Sequence, residues 1–265
     1  TNRNYSWKNM TQESRQLEIL APAVKEVIRV EVIQRLPELV RRAYGVATSG
    51  RAGPVLLDIP EDIAHGEYDF PEDDLYADLA AMSAPAYRSR PDRDEVARAA
   101  ALLAKAERPI ILAGGGVHLS GGQAALTEFA ERFNIPVAHT LSGKGAIACT
   151  HALALGLFGR YSRIANDVLE RTDCILVVGC KMGEIATKRY TLPAKGIPLI
   201  HLEILAEDIS RCVPCEVPLW GDAKAGLEDL AAEMSDSAAA QHAARGEYAA
   251  EVATRMTNWR MEVQE

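Results

Sequence analysis

The chain has 265 residues, 48% of them apolar and 25% charged, with a net charge of −8. That length builds one large domain or two with a sizeable core, and the composition is that of an ordinary globular protein. The acidic balance excludes a dedicated nucleic-acid binder, which needs a basic face, and no run approaches the roughly 20 apolar residues of a membrane-spanning helix.

The opening TNRNYSWKNM lacks the apolar core of a secretory signal and does not begin with Met, so a cut or partial chain is expected. Leu36, Leu39, Val40, Ala43, Tyr44 and Ala47 follow helical spacing and predict an amphipathic helix over 35–49, closed by Gly50. GPVLLDIP (53–60) reads as a short strand bounded by Gly and Pro. Residues 1–63 thus supply two helices and one convincing strand, too little for a sheet of their own. From 64 to 91 the sequence is acidic, interrupted by prolines and weakly periodic, as expected of a linker.

Regular alternation follows. Val96, Ala99, Ala100 and Leu103 mark a helix, and RPIILAGGG a strand running into a glycine turn. Leu126, Phe129, Ala130 and Phe133 mark a second helix, IPVAHT a strand, and Ile164, Ala165, Val168 and Leu169 a third helix. CILVVG (174–179) and PLIHLEI (198–204) read as buried strands, and VPLWGD (217–222) leads into a last helix through Leu227, Leu230, Ala231 and Met234. Continuous apolar strands alternating with helices require a parallel sheet covered on both faces. The fold expected over 92–236 is therefore α/β, a doubly wound parallel sheet, with an incomplete α/β segment flanking it. Beyond it, Tyr248, Val252, Met256, Trp259 and Val263 form an apolar stripe without an evident partner in the sequence.

Ligands of such sheets sit at the carboxyl ends of the strands. The glycine turn, Thr140–Lys144, Lys181–Glu184 and Glu203 all follow strand ends and would line one rim. LAGGGVHLSGG (112–122) carries Gly114 and Gly116 at the first two places of a dinucleotide fingerprint, but Leu119 stands at the third. LSGKGA has Gly143–Lys144 but lacks the Walker hydroxyl, since Gly145 follows. A glycine turn can present backbone N–H groups to an anion or serve as a tight strand–helix connection, and the pattern alone leaves both open. His118, His139 and His201 have no metal-ligand spacing, so structural roles are expected. Lys181 and Glu184 are placed to form a surface pair. Neither a G-x-S-x-G elbow nor H-E-x-x-H is present. Five cysteines, an odd number, suit a reduced cytoplasm. The close pair in CVPC (212–215) has no second CxxC to complete a zinc site, and a structural role is expected for it.

Order and wording go further. LPELVRRAYGVATSGRAGPVLLDIPEDI (36–63) resembles the end of the pyrimidine-binding domain in thiamine-diphosphate enzymes of the acetolactate synthase type. AERPIILAGGGV…EFAERFNIPVAHTLSGKGAI (106–147), LERTDCILVVGCKMGE and PLIHLEI…DISR…PLWGDAKAGLEDL resemble that family's Rossmann-like central domain. The resemblance divides the chain into 1–63, the end of a pyrimidine-binding domain; 64–91, a linker; 92–236, the central domain; and 237–265, the start of a linker to a diphosphate-binding domain. It implies a parent enzyme that decarboxylates a 2-keto acid and transfers or releases the product. That parent is expected to use thiamine diphosphate and Mg2+ as a cytoplasmic homo-oligomer, a dimer or tetramer, with no nucleic acid or membrane partner.

The family's catalytic glutamate and its magnesium–diphosphate motif match nothing here, so no catalytic or metal-ligating residue is assigned and the chain alone is expected to be inactive. Gln12 and Lys25 match positions near the active-site entrance of relatives. In flavin-binding members the central domain holds FAD. The matching places here are Gly114, Gly115 and Gly116; Thr140, Leu141 and Lys144; Lys181; and Glu203, with Asp222 as a further candidate at the end of the last strand. Lys181 replaces an arginine and loses its planar fork, and LFG (157–159) replaces a Met-His-Gly segment, both of which weigh against the flavin. The competing readings are a stand-alone FAD- or ADP-binding regulatory module and a purely structural assembly domain.

Overall fold

A computed structural model describes residues 2–264, and the chain divides between Tyr87 and Arg88 into two compact units. In the first, α1 (Gln16–Leu20), β1 (Val27–Arg29), α2 (Leu36–Thr48), β2 (Leu56–Asp58) and α3 (Glu61–Ala64) follow in order. Pro37 and Glu38 suit the first turn of α2, where a missing N–H costs nothing and negative charge meets the helix dipole. Beyond Ser49, Gly50 turns the chain with φ +55°. Ile28, Val30, Leu39 and Ile63 form a small core.

One expectation for this unit is corrected. β1 and β2 pair in parallel, Val27 opposite Leu56 and Arg29 opposite Asp58, where the sequence suggested a single strand. β1 is only three residues long and ends in a charge, too short to show a period; Arg29 Nε lies 3.4 Å from Asp58. The acidic stretch after α3 packs on α2. The Arg41 guanidinium stacks 3.8 Å from the centre of the Tyr76 ring, Thr48 Oγ1 donates to Ala81 O (3.0 Å), and Ala86 N donates to Thr48 O (3.0 Å).

The second unit contains α4 (Arg93–Lys105), β3 (Pro109–Ala113), α5 (Gly116–Leu119), α6 (Gln123–Phe133), β4 (Val137–His139) and β5 (Ala154–Leu157). It continues with α7 (Ala165–Leu169), β6 (Cys174–Val178), β7 (Leu199–Glu203), β8 (Val217–Trp220), α8 (Ala223–Glu233), α9 (Ala238–Ala244) and α10 (Gly246–Gln264). Its six strands are all parallel, in the order β5-β4-β3-β6-β7-β8. The doubly wound sheet is therefore as expected. β3, β6 and β7 are buried throughout, because alternate side chains enter two cores on opposite faces. β8, an edge strand, alternates and exposes Pro218 and Trp220.

The sequence reading missed β5. Its ALGL run contains Gly156 at φ +72°, and the register against β4 shifts between Val137 and Ala138, so the strand is short and irregular. The stripe expected without a partner finds one: Tyr248, Val252 and Met256 of α10 are buried with Ile110, Leu112, Ile175 and Val177 of the sheet. No described helix is long and apolar enough to cross a membrane.

Candidate functional site

In this strand order the chain leaves β3 in one direction for β4 and β5 and in the other for β6, β7 and β8. The crevice outside the carboxyl ends of β3 and β6 is therefore the topological switch point, where open α/β sheets bind ligands. The loops after β3, β4 and β6 (residues 114–116, 140–146 and 179–184) meet there, and Glu203 ends the neighbouring β7.

The glycines of this rim are explained by backbone packing. A Cβ on Gly114 would stand 2.1 Å from Gly179 O and 2.6 Å from Cys180 Cα. One on Gly116 would meet Gly179 Cα at 2.7 Å, and one on Gly143 would meet Ala113 O at 2.4 Å. Gly179 itself has φ +55°, the left-handed region that glycine enters without penalty. Two backbone donors of the glycine loop are engaged as well. Gly114 N donates to Val178 O and Gly116 N to Gly179 O, both at 2.9 Å. Gly115 lies against Ser142 with room for a tight Cβ contact of 3.1 Å.

The side chains named from the sequence fall into four groups. Thr140 N donates to Ala113 O (3.0 Å), and Thr140 Oγ1 accepts from Gly143 N (3.0 Å), so this threonine closes its own turn. Leu141, Lys144 and Lys181 are exposed on the rim, and the Lys144 carbonyl accepts from His118 Nε2 at 3.0 Å. Glu203 is buried, its Oε1 accepting from Ile204 N (3.0 Å). Asp222 stands apart at the end of edge strand β8. It caps α8 by accepting from Ala225 N (3.0 Å) and pairs with Arg88 at 2.7 Å.

The expected Lys181–Glu184 pair is not what forms: Glu184 lies 3.5 Å from Arg189 and 3.9 Å from Arg160. Lys25, placed near an entrance by resemblance, donates to the carbonyls of Val46 and Ser49 and ties down the last turn of α2. Gln12 is exposed with φ +63°.

The histidines near the rim all make local hydrogen bonds. His118 donates through Nε2 and accepts at Nδ1 from Gln123 (3.0 Å). His139 donates from Nδ1 to Thr140 O (2.9 Å), and burial lowers its pKa. His201 donates from Nε2 to Cys180 O (2.9 Å), its Nδ1 is buried without a partner, and burial lowers its pKa too. Both rings are held neutral because desolvation penalises the charged form.

Sequence reasoning missed Arg245. Only 1% exposed, it donates to the carbonyls of Leu103, Ala106 and Phe133, which close α4 and α6. One guanidinium fork meets three helix-end carbonyls, of which Leu103 O also accepts from Ala106 N (3.3 Å). A single arginine in QHAARGEY carries no signal of this.

The donors present do not fit the metal implied by the resemblance, and two donors of the glycine loop are taken before a flavin could use them. A diphosphate-bound magnesium ion needs clustered oxygen ligands, and among the described residues no group of three or more His, Cys, Asp or Glu is arranged to hold a metal. A flavin diphosphate needs free backbone donors at the glycine loop, where Gly114 and Gly116 are already paired.

Comparison with known proteins agrees with this architecture. The family described as "Thiamine pyrophosphate enzyme, central domain" matches residues 96–230, from α4 to α8. A probable acetolactate synthase large subunit of Methanocaldococcus jannaschii is 35% identical over 226 residues, covering 84% of this chain and 38% of that protein. Acetolactate synthase isozyme 3 large subunit of Escherichia coli K12 is 29% identical, covering 87% of this chain and 40% of its own. Glyoxylate carboligase of Escherichia coli O157:H7 is 32% identical, covering 82% and 36%. The chain thus spans well under half the length of these relatives. With a parallel sheet wound about a switch point between β3 and β6, and with that match from helix to helix, the chain belongs to the thiamine pyrophosphate enzyme family, whose central domain it contains.

Proposed function

We propose that this chain supplies the structural platform of a thiamine-diphosphate-dependent enzyme that decarboxylates a 2-keto acid and joins the resulting unit to a second carbonyl. The supporting observation is the match over 96–230, in chain order, to the central domain of that family. The similar relatives are acetolactate synthases and a glyoxylate carboligase, so pyruvate and glyoxylate are the substrates to try. Thiamine diphosphate and Mg2+ would be held by parts of the enzyme outside these residues, in a cytoplasmic homo-oligomer. The cofactor supplies the carbanion chemistry.

Within this reading the chain's residues position and do not react. The backbone lock among Gly114, Gly116, Gly143 and Gly179 fixes the loops of the carboxyl rim to one another. The rim works without FAD, and no observation favours a stand-alone nucleotide-binding module.

The test is pyruvate and glyoxylate consumption, followed by proton NMR, with saturating thiamine diphosphate and Mg2+. The 265-residue chain should show no turnover above buffer, and the enzyme of the whole reading frame should show it. Sustained turnover by the 265 residues alone would overturn the assignment.

A further inference from the structure

The loop between β7 and β8 carries the only close cysteine pair, and its geometry is independent of the rim. Cys212 and Cys215 are both free, both half-buried, and both pack on the same apolar cluster beneath the sheet. The chain bends through Arg211–Val213, after Ser210 at φ +57°. The Ser210 hydroxyl closes the bend: its Oγ accepts from Cys215 N at 2.9 Å and lies 3.0 Å from Cys215 Sγ. Cys212 and Cys215 thus stand three residues apart, beside a bend that Ser210 closes and on one apolar cluster.

The remaining cysteines differ. Burial pushes the thiols of Cys174 and Cys180 up to about 12, which leaves them inert as nucleophiles. Cys149 is exposed but has no cysteine beside it in the sequence.

We propose that Cys212 and Cys215 form a reversible dithiol–disulfide site, oxidised by a low-molecular-weight disulfide such as oxidised glutathione. One cysteine, as thiolate, attacks a glutathione sulfur; a mixed disulfide forms and the first glutathione thiolate leaves. The second cysteine thiolate attacks the mixed disulfide at the protein sulfur and expels the second glutathione. The two protons lost by the cysteines end on the two released glutathiones, so the protein loses two electrons and two protons. The bond would pin the connection that starts directly after Glu203 and re-enters the sheet as β8. This site is separate from the proposed role in catalysis and stands whether or not that role is correct.

The sequence makes the test direct. Trypsin cuts after Arg211 and Lys224, so one peptide, CVPCEVPLWGDAK, holds both cysteines and no others. The intact 265-residue chain is incubated with oxidised glutathione at neutral pH, denatured, alkylated, digested and weighed. The expected peptide carries no alkyl group and is lighter by two hydrogens, while Cys149, Cys174 and Cys180 are alkylated. Dithiothreitol should restore full alkylation. In Cys215→Ser and Cys212→Ser, the remaining cysteine should accumulate one glutathione, because the resolving partner is gone. In Ser210→Ala the disulfide should close several-fold more slowly. A wild-type peptide that stays fully alkylated, or that carries glutathione on both cysteines without closing, would overturn the proposal, as would a bond to Cys149.

Discussion

At Gly114, Gly116 and Gly143 one methyl group decides whether the loops of the carboxyl rim can meet. Gly114→Ala would drive a carbon into Gly179 O at 2.1 Å, against backbone that cannot rotate away. Overpacking of this kind costs about 1–3 kcal/mol, and more where backbone must shift. Gly183, on the same rim, has nothing within 4 Å of its built Cβ and no positive φ, so Gly183→Ala should change stability by no more than about 0.5 kcal/mol. Urea unfolding midpoints of the two variants check the contrast; equal midpoints would show that the loops do not pack as described.

The neutral histidines make stability depend on pH. Burial lowers the pKa of His139 and His201 below the usual 6.5, so the unfolded chain takes up their protons first as the solution is acidified. Their contribution is fully present above about pH 6.5 and is lost as pH falls through their lowered folded values. The urea midpoint should fall between pH 7 and pH 5.5, and His201→Gln should show a smaller fall. A wild-type midpoint unchanged over that interval would contradict the burial of these rings.

Among the elements, α9 and α10 bind the unit together through Arg245 and the apolar face that follows it. Arg245→Met leaves the carbonyls of Ala106 and Phe133 without their donor, at about 1–3 kcal/mol for each buried unsatisfied group, while Leu103 O keeps Ala106 N. A total loss of roughly 3–5 kcal/mol is expected, measured by urea unfolding, with Arg245→Lys recovering only part because an ammonium lacks the fork. A loss below about 1 kcal/mol would mean the carbonyls find water.

This scale also shows what the sequence made legible. α4, α6, β3, β6 and β7 were readable because uninterrupted apolar runs and 3.6-residue spacing report burial locally. β1 and β5 were not, being three and four residues long, one ending in a charge and the other broken by Gly156. The apolar stripe of α10 was visible, but its partner strands lie some 70–145 positions earlier in the chain, beyond what periodicity can connect. The glycine loop was found as a loop. Its purpose was hidden because the contacts of Gly114 and Gly116 are with Gly179 and Cys180, more than 60 positions away.

For the molecule as a whole, the parallel sheet of the second unit and its two cores form a platform whose carboxyl rim is closed by its own backbone. Such a rim should be as protected from hydrogen exchange without a ligand as with one, because Gly114 N, Gly116 N, Thr140 N and Gly143 N already have partners. The decisive measurement is residue-resolved hydrogen exchange on the 265-residue chain, alone and with saturating thiamine diphosphate, Mg2+ and FAD. Equal protection at 112–122, 140–147 and 179–190 in both conditions is the predicted result. A clear gain of protection at these loops on adding either cofactor would show that the rim is a nucleotide or diphosphate cradle and would contradict the account.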